Sequence, residues 1–315
     1  MVRAPLVAVV ALLATLAPLQ AGAAAKGEER VLVVLATAGA KPYTVAEVER
    51  VVGQADAFLR TASFNQVQLH FDVTPWLPAF TATPGCGSVS NGSLSVLVAP
   101  ARLAAGDAGY NAAHYDDVVY AIADSRCGFH GATFGHEVML TRQPTVELLV
   151  HELGHALGLG HAQSSDCRGV SPAQCGFDET GDPFSPMGHG MLDFSAYEKV
   201  VLGWLPAPPH VTGAKRYVLA PPTFRSKLAQ GLVVDAADGS GSWWIEYRAK
   251  PFRGLLVRFV ENRDLPPFAR SGVLMMRTVK AGRPWIARGE TYRIPGSFRV
   301  TLLKAAPLRA ELRLR

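Results

Sequence analysis

Three histidines and a glutamate stand at a spacing that metal chemistry can use. The stretch His151-Glu152-Leu153-Gly154-His155-Ala156-Leu157-Gly158-Leu159-Gly160-His161 fits H-E-x-x-H-x-x-G-x-x-H at every fixed position. Residues four apart lie one above the other on a helix, so His151 and His155 present their imidazoles to one point. Gly158 lets the chain leave the helix in a conformation that other residues resist, and the turn returns His161 to the same place. Three nitrogen donors predict one catalytic Zn2+ with its fourth position open, because a closed structural site takes four protein ligands. Glu152, beside the first donor, is placed to accept a proton from water held there. His151, His155 and His161 are therefore the expected ligands and Glu152 the expected base.

Such a constellation needs a frame. Thr145 to Leu157 reads as the helix that carries it, with Leu153, Ala156 and Leu157 as its apolar side. Val31 to Ala36 is a β-branched apolar run and predicts a buried strand. Thr44 to Ala62 predicts a helix with Val45, Val48, Val51, Val52 and Phe58 as its stripe. Val67 to Val73 alternates as a strand, Asp117 to Ile122 is a second buried strand, and an edge strand is expected within 132–140. Pro84-Gly85 opens a loop rich in glycine and serine. Ser195 to Glu198 forms a capping box that opens a helix running to about Trp204. Leu205-Pro-Ala-Pro-Pro-His210 then breaks the pattern and is the natural linker. Beyond it, alternating segments at Tyr217–Leu219, Leu232–Val234, Trp243–Tyr247, Leu255–Phe259, Val273–Arg277, Phe298–Leu303 and Ala310–Leu314 are separated by glycine and proline turns. The expectation is an α+β chain. A domain over 26–207, a mixed sheet with the active-site helix, precedes an antiparallel β-sandwich over 211–315.

Residues 1–25 are a separate object. Arg3 precedes an apolar run from Leu6 to Leu19, and small residues follow from Ala21 to Ala25. That is the anatomy of a secretory signal peptide, with cleavage expected near Ala25. An uncleaved anchor is the alternative, but the run is short for a span of about 20 residues. No later segment is long and apolar enough to cross a bilayer. Export, to an extracellular or periplasmic space, makes Cys86, Cys127, Cys167 and Cys175 candidates for two disulfides. Cys167 with Cys175 closes a short loop and Cys86 with Cys127 a longer one; three pairings are open. Charge is uneven: 26–210 holds 10 Lys and Arg against 19 Asp and Glu, and 211–315 holds 20 against 7. The basic half either docks against the acidic one or meets an anionic surface or polymer. Nothing points to a specific nucleic acid. Asp182 and Asp193 offer carboxylates to a calcium ion, without the spacing of a calcium loop. His136, ahead of the edge strand, is a weaker candidate for lining the cleft.

With these residues in view, the chain resembles the gametolysin family of metzincin zinc metallopeptidases, and more loosely the immune-inhibitor-A-like secreted peptidases. The core of the likeness is HELGHALGLGHA, and it extends over most of the mature chain. Gly181-Asp-Pro-Phe-Ser-Pro-Met187-Gly188 is similar to that family's Met-turn, which implies that Met187 packs beneath the ligands without binding metal. Val201-Leu-Gly-Trp204-Leu, Trp244-Ile-Glu-Tyr-Arg248 and Leu256-Val-Arg-Phe-Val-Glu261 resemble the segments that follow. His189 stands two places after Met187, where astacins and serralysins carry a tyrosine that helps to stabilise the tetrahedral intermediate. It is the expected oxyanion donor, or a weak further ligand. The resemblance implies a secreted zinc endopeptidase acting on extracellular protein or peptide. One departure is the first core strand, which starts almost directly after the leader. No propeptide cysteine stands ahead of it. The main rival expectation is a weakly active or inactive protein of the same fold that binds an anionic polymer through its basic second domain. Zinc-dependent hydrolysis of a non-peptide bond is a third.

Overall fold

The computed structural model describes residues 25–85, 91–123, 125–166, 176–262, 272–275, 283–293 and 298–315. The first half is built on a mixed sheet of β1 (Gly27–Thr37), β2 (Val67–Pro78), β3 (Asp117–Ile122), β4 (Gly131–Phe134) and β5 (Glu137–Leu140), in the order β2-β1-β3-β5-β4. The first four neighbours run parallel and β4 returns antiparallel at the edge. Parallel strands are covered on both faces, so they read as unbroken apolar runs. In β1, Val31, Val33 and Leu35 enter one core, while Leu32, Val34 and Ala36 enter another. Helices α1 (Val45–Ala62) and α3 (Val146–Ala156) cover the first face. Helix α2 (Asn91–Asp107) supplies Leu97, Val98 and Ala101 to the second.

The helix expected from Thr44 starts there: the Thr44 side chain accepts from the Glu47 amide, and Glu47 caps the Thr44 amide in return. The expected edge strand over 132–140 is two strands. A turn at Gly135 and His136 splits it into the β4–β5 hairpin. His136 sits at that turn, exposed, with Nδ1 2.9 Å from Asp117 Oδ1, at the far end of β4 from Gly131. Helix α2 follows the loop that Pro84-Gly85 opens, over a stretch for which the sequence offers no assigned element.

In the second half, β6 (Ser164–Asp166), β7 (Gly176–Asp178), β9 (Leu232–Asp235), β10 (Gly241–Arg248), β11 (Gly254–Glu261) and β12 (Gly272–Met275) form a sheet in the order β7-β6-β12-β11-β10-β9, with β13 (Ile286–Ala287) beside β11. A four-stranded antiparallel sheet follows the order β14-β15-β16-β8, from β8 (Arg216–Leu219), β14 (Thr291–Arg293), β15 (Arg299–Ala306) and β16 (Arg309–Leu314). The two sheets share one apolar core, including Ile245, Tyr247, Leu255, Val300, Leu302 and Leu312. The chain is thus α+β. The hydrogen-bonded sheet extends across the 205–210 linker, because β6, from before it, pairs in parallel with β12, from beyond it. Among the described residues no helix is long and apolar enough to cross a membrane. Residues 1–24, with the expected leader, lie outside the described residues, as do Cys86, Cys167 and Cys175. Cys127 is disulfide-bonded and buried.

Candidate metal centre

Helix α3 begins where Thr145 accepts a hydrogen bond from the Leu148 amide, and ends at Leu157. Leu149, Val150 and Leu153 face the core, so the opposite side of the helix carries His151 and His155. Gly158 follows with φ of 99°, a region that L side chains rarely adopt. The Leu159 amide then donates to Gly154 O, closing the helix end and turning the chain toward His161.

The three imidazoles converge. One ligand atom from each of His151, His155 and His161 lies within 4.8 Å of the others. The outward nitrogens are taken. His151 Nδ1 donates to Pro186 O at 2.8 Å, and His155 Nδ1 donates to Leu159 O at 2.8 Å. His161 Nδ1 lies 3.1 Å from Glu179 Oε1. A carbonyl or carboxylate can only accept, so each Nδ1 carries the proton and each Nε2 keeps its lone pair. His151 Nε2 and His155 Nε2 are then two acceptors 3.2 Å apart. Bare lone pairs at that distance repel. Nitrogens about 2.0–2.1 Å from a tetrahedral ion sit about 3.3–3.4 Å from one another, so the spacing fits a shared cation. Burial depresses the proton affinity of His151 and takes His155 down to about 4, so neither needs to lose a proton to bind metal at neutral pH.

Glu152 is buried, 4 % exposed. Burial pushes its carboxyl up to about 7, and the hydrogen bond from Thr133 opposes that rise. The Thr133 hydroxyl lies 2.7 Å from Glu152 Oε2 and 3.0 Å from Glu152 O, so edge strand β4 aims the carboxylate on the helix beside it. Neither Thr133 nor Glu179 was singled out in the sequence. A hydroxyl on an edge strand and an acid in a loop carry no local signal of their target.

Met187 is fully buried beneath the helix. Its sulfur occupies the space that a Cβ on Gly154 would need, which explains glycine at a position the motif leaves free. Its carbonyl accepts from the Ala162 amide at 2.7 Å, and the Asp182 amide donates to Ala162 O, clamping the residue after His161 on both sides. Asp182 and Asp193 are corrected as calcium donors. Asp182 Oδ2 lies 2.6 Å from Arg258 Nη2, and its Oδ1 accepts from the Phe184 and Ser185 amides. Asp193 Oδ2 lies 2.7 Å from Lys199 Nζ. A carboxylate already neutralised by a buried cation has little left for a second one. Among the described residues, only the three histidines group as a metal site. His189 is exposed, with Nε2 3.2 Å from Thr180 Oγ1, and is not part of that group.

The Met187 segment is anchored by charge from the second half. Arg258 spans Asp182 and Glu246, with Nη1 2.9 Å from Glu246 Oε1. Glu246 also takes Arg248 Nε at 2.8 Å and the Ala196 amide at 2.6 Å. Ser185 Oγ donates to Glu198 at 2.7 Å and accepts from the Met187 amide at 3.1 Å.

No family model and no curated protein matches the chain. One solved chain, described as "Structure of a chaperone-substrate complex", aligns with a TM-score of 0.34 at 14 % identity over 65 % of this chain. This chain covers 31 % of that one, and the likeness is too slight to bear on fold or function.

Proposed function

We propose that this chain is a secreted zinc-dependent endopeptidase of the metzincin type, with a catalytic domain followed by an antiparallel β-sandwich. The observation that carries the reading is the convergence of three Nε2 lone pairs, each fixed by a partner on Nδ1, beside a buried glutamate. His151, His155 and His161 hold the ion. When bound, zinc supplies a Lewis acid and lowers the pKa of a coordinated water to about 7. Glu152 receives the proton of the attacking water. Thr133 occupies Oε2, so Oε1 is the accepting oxygen, and the same carboxyl returns the proton to the leaving amine. Burial near neutrality suits a group that must both take and give. Among the described strands β4 lies at the edge of its sheet, and that edge offers an extended substrate a strand to pair with. His189 is a candidate donor to the oxyanion, with its Nε2 3.2 Å from Thr180 Oγ1. Full turnover by His189→Phe removes that role.

The test is denatured casein incubated with the purified chain. Cleavage should stop on chelation and return with zinc. Chelator-insensitive cleavage, or none after zinc is restored, contradicts the proposal.

A further inference from the structure

The four-stranded sheet has an inner and an outer face, and the charged residues of its strands are all basic but one. Val300, Leu302, Leu312 and Leu314 point inward and are at most 3 % exposed. Alternation places their neighbours on the other side. The residues of β8, β14, β15 and β16 include Arg216, Arg293, Arg299, Lys304, Arg309 and Arg313 but a single acid, Glu311. That acid is already shared between Arg216 Nη1 and Lys304 Nζ, each at 3.2 Å.

Register makes the pattern sharper. Arg293 lies directly opposite Arg299. Arg299 in turn exchanges backbone hydrogen bonds with Arg315, at 2.7 and 3.0 Å. Three arginines thus form one row across three strands. In the next row Thr291 pairs with Thr301, Thr301 with Arg313, and Arg313 with Arg216. Like charges directly opposite one another destabilise a sheet, so this arrangement works against the fold that contains it. Arg216, Arg293, Arg299 and Arg315 are all exposed, and among the described residues the ion pair given for them is Arg216 with Glu311 of the same sheet. An anionic ligand lying along the rows would relieve the repulsion.

We propose that this face binds a linear polysaccharide bearing sulfate or carboxylate groups. Arginine grips such groups with two parallel hydrogen bonds. The rows run as lines across strands about 4.8 Å apart, which suits an extended chain. Thr291 Oγ1 and Thr301 Oγ1, 2.7 Å apart, continue the second row with hydroxyls that match sugar hydroxyls. The tyrosines of these strands, Tyr217 and Tyr292, pack on the inner core, so the outer face has no platform on which bases could stack. Val218 on β8 and Leu308 in the turn between β15 and β16 are the exposed large apolar residues of this sheet among those described, too few to enter a bilayer. The surface is independent of the peptidase reading.

The experiment measures binding of the full mature chain to immobilised heparin, with neutral dextran, vesicles of phosphatidylserine and phosphatidylcholine, and duplex DNA as comparison probes. Heparin should bind, dextran should not, and affinity should fall steeply with salt. Arg299→Glu should weaken heparin binding by at least about tenfold, roughly the loss of one charge-assisted contact. It should also raise the melting temperature, because a glutamate between Arg293 and Arg315 turns two repulsions into attractions. Arg313→Thr, a milder change, should weaken binding and leave peptide hydrolysis intact. Absence of heparin binding overturns the proposal, as do variants that bind normally. Equal or tighter binding to vesicles or DNA at matched charge overturns it in favour of a lipid or nucleic-acid surface.

Discussion

Glu152 has two oxygens, and the fold assigns one of them. Thr133 on β4 donates to Oε2, and in the proposed mechanism Oε1 is left to take the proton. A hydrogen bond to a charged group contributes about 1.5–3 kcal/mol. Thr133→Val keeps the shape and removes the donor. It should lower kcat by about tenfold or more, with KM and zinc content little changed, as steady-state kinetics beside metal analysis will show; unchanged kcat removes Thr133 from the machinery. In the proposed site Glu179 would act on the metal through His161, whose Nδ1 it faces at 3.1 Å. Loss of such outer partners typically costs 10–100-fold in metal affinity or activity, so Glu179→Gln should weaken zinc retention in a chelator competition by about tenfold. At this scale the sequence was legible where chemistry fixes spacing. The converging histidines, the buried glutamate beside them and the buried Met187 all follow from one pattern and one turn. Thr133, Glu179 and Arg258 were not, because each reaches its target across the fold.

Helix α4 (Ala196–Val201) shows how one element serves two ends. Its capping box, visible in the sequence, uses Glu198 to accept from the Ser195 amide, while the other oxygen takes Ser185 and so supports Met187. Local capping was predictable; its second use was not. Helix α2 escaped prediction because Pro100 lies inside it and its opening residues Asn91, Gly92 and Ser93 favour turns. Glu246 lies one strand away from the linker and makes the same region sensitive to acid. Burial alone would raise its pKa, but Arg248, Arg258 and the Ala196 amide outweigh it and hold the carboxyl at about 2, below the ordinary 4.5. A carboxylate with a lowered folded pKa contributes stability that is complete above 4.5 and is lost as pH falls from there toward about 2. Glu246→Gln should be less stable than the parent at neutral pH. That gap should close over the same window in urea titrations; a gap independent of pH contradicts this assignment.

The two halves are one body at the level of hydrogen bonds and charges. Strand β6 pairs with β12, and the buried Asp182 carboxylate depends on Arg258. Removing one partner of a buried ion pair costs about 3–5 kcal/mol, comparable to the whole margin of a small domain. A chain ending at His210 should therefore fail to give a cooperative melting transition, whereas sequence texture alone reads that linker as a clean boundary. At the other end, Trp204 Nε1 donates 2.7 Å to Ala25 O, and Ala25 is buried. If the proposed leader is removed, processing after Ala23 preserves that bond and processing after Ala25 removes it, so N-terminal sequencing should read Ala24 and not Lys26. The central claim is that the three histidines hold a catalytic metal which Glu152 exploits. Glu152→Ala tests it most directly, by zinc stoichiometry and casein turnover on the same preparation. One zinc per chain should remain while turnover falls to background. Turnover that persists, or zinc that is lost with the glutamate, contradicts the account.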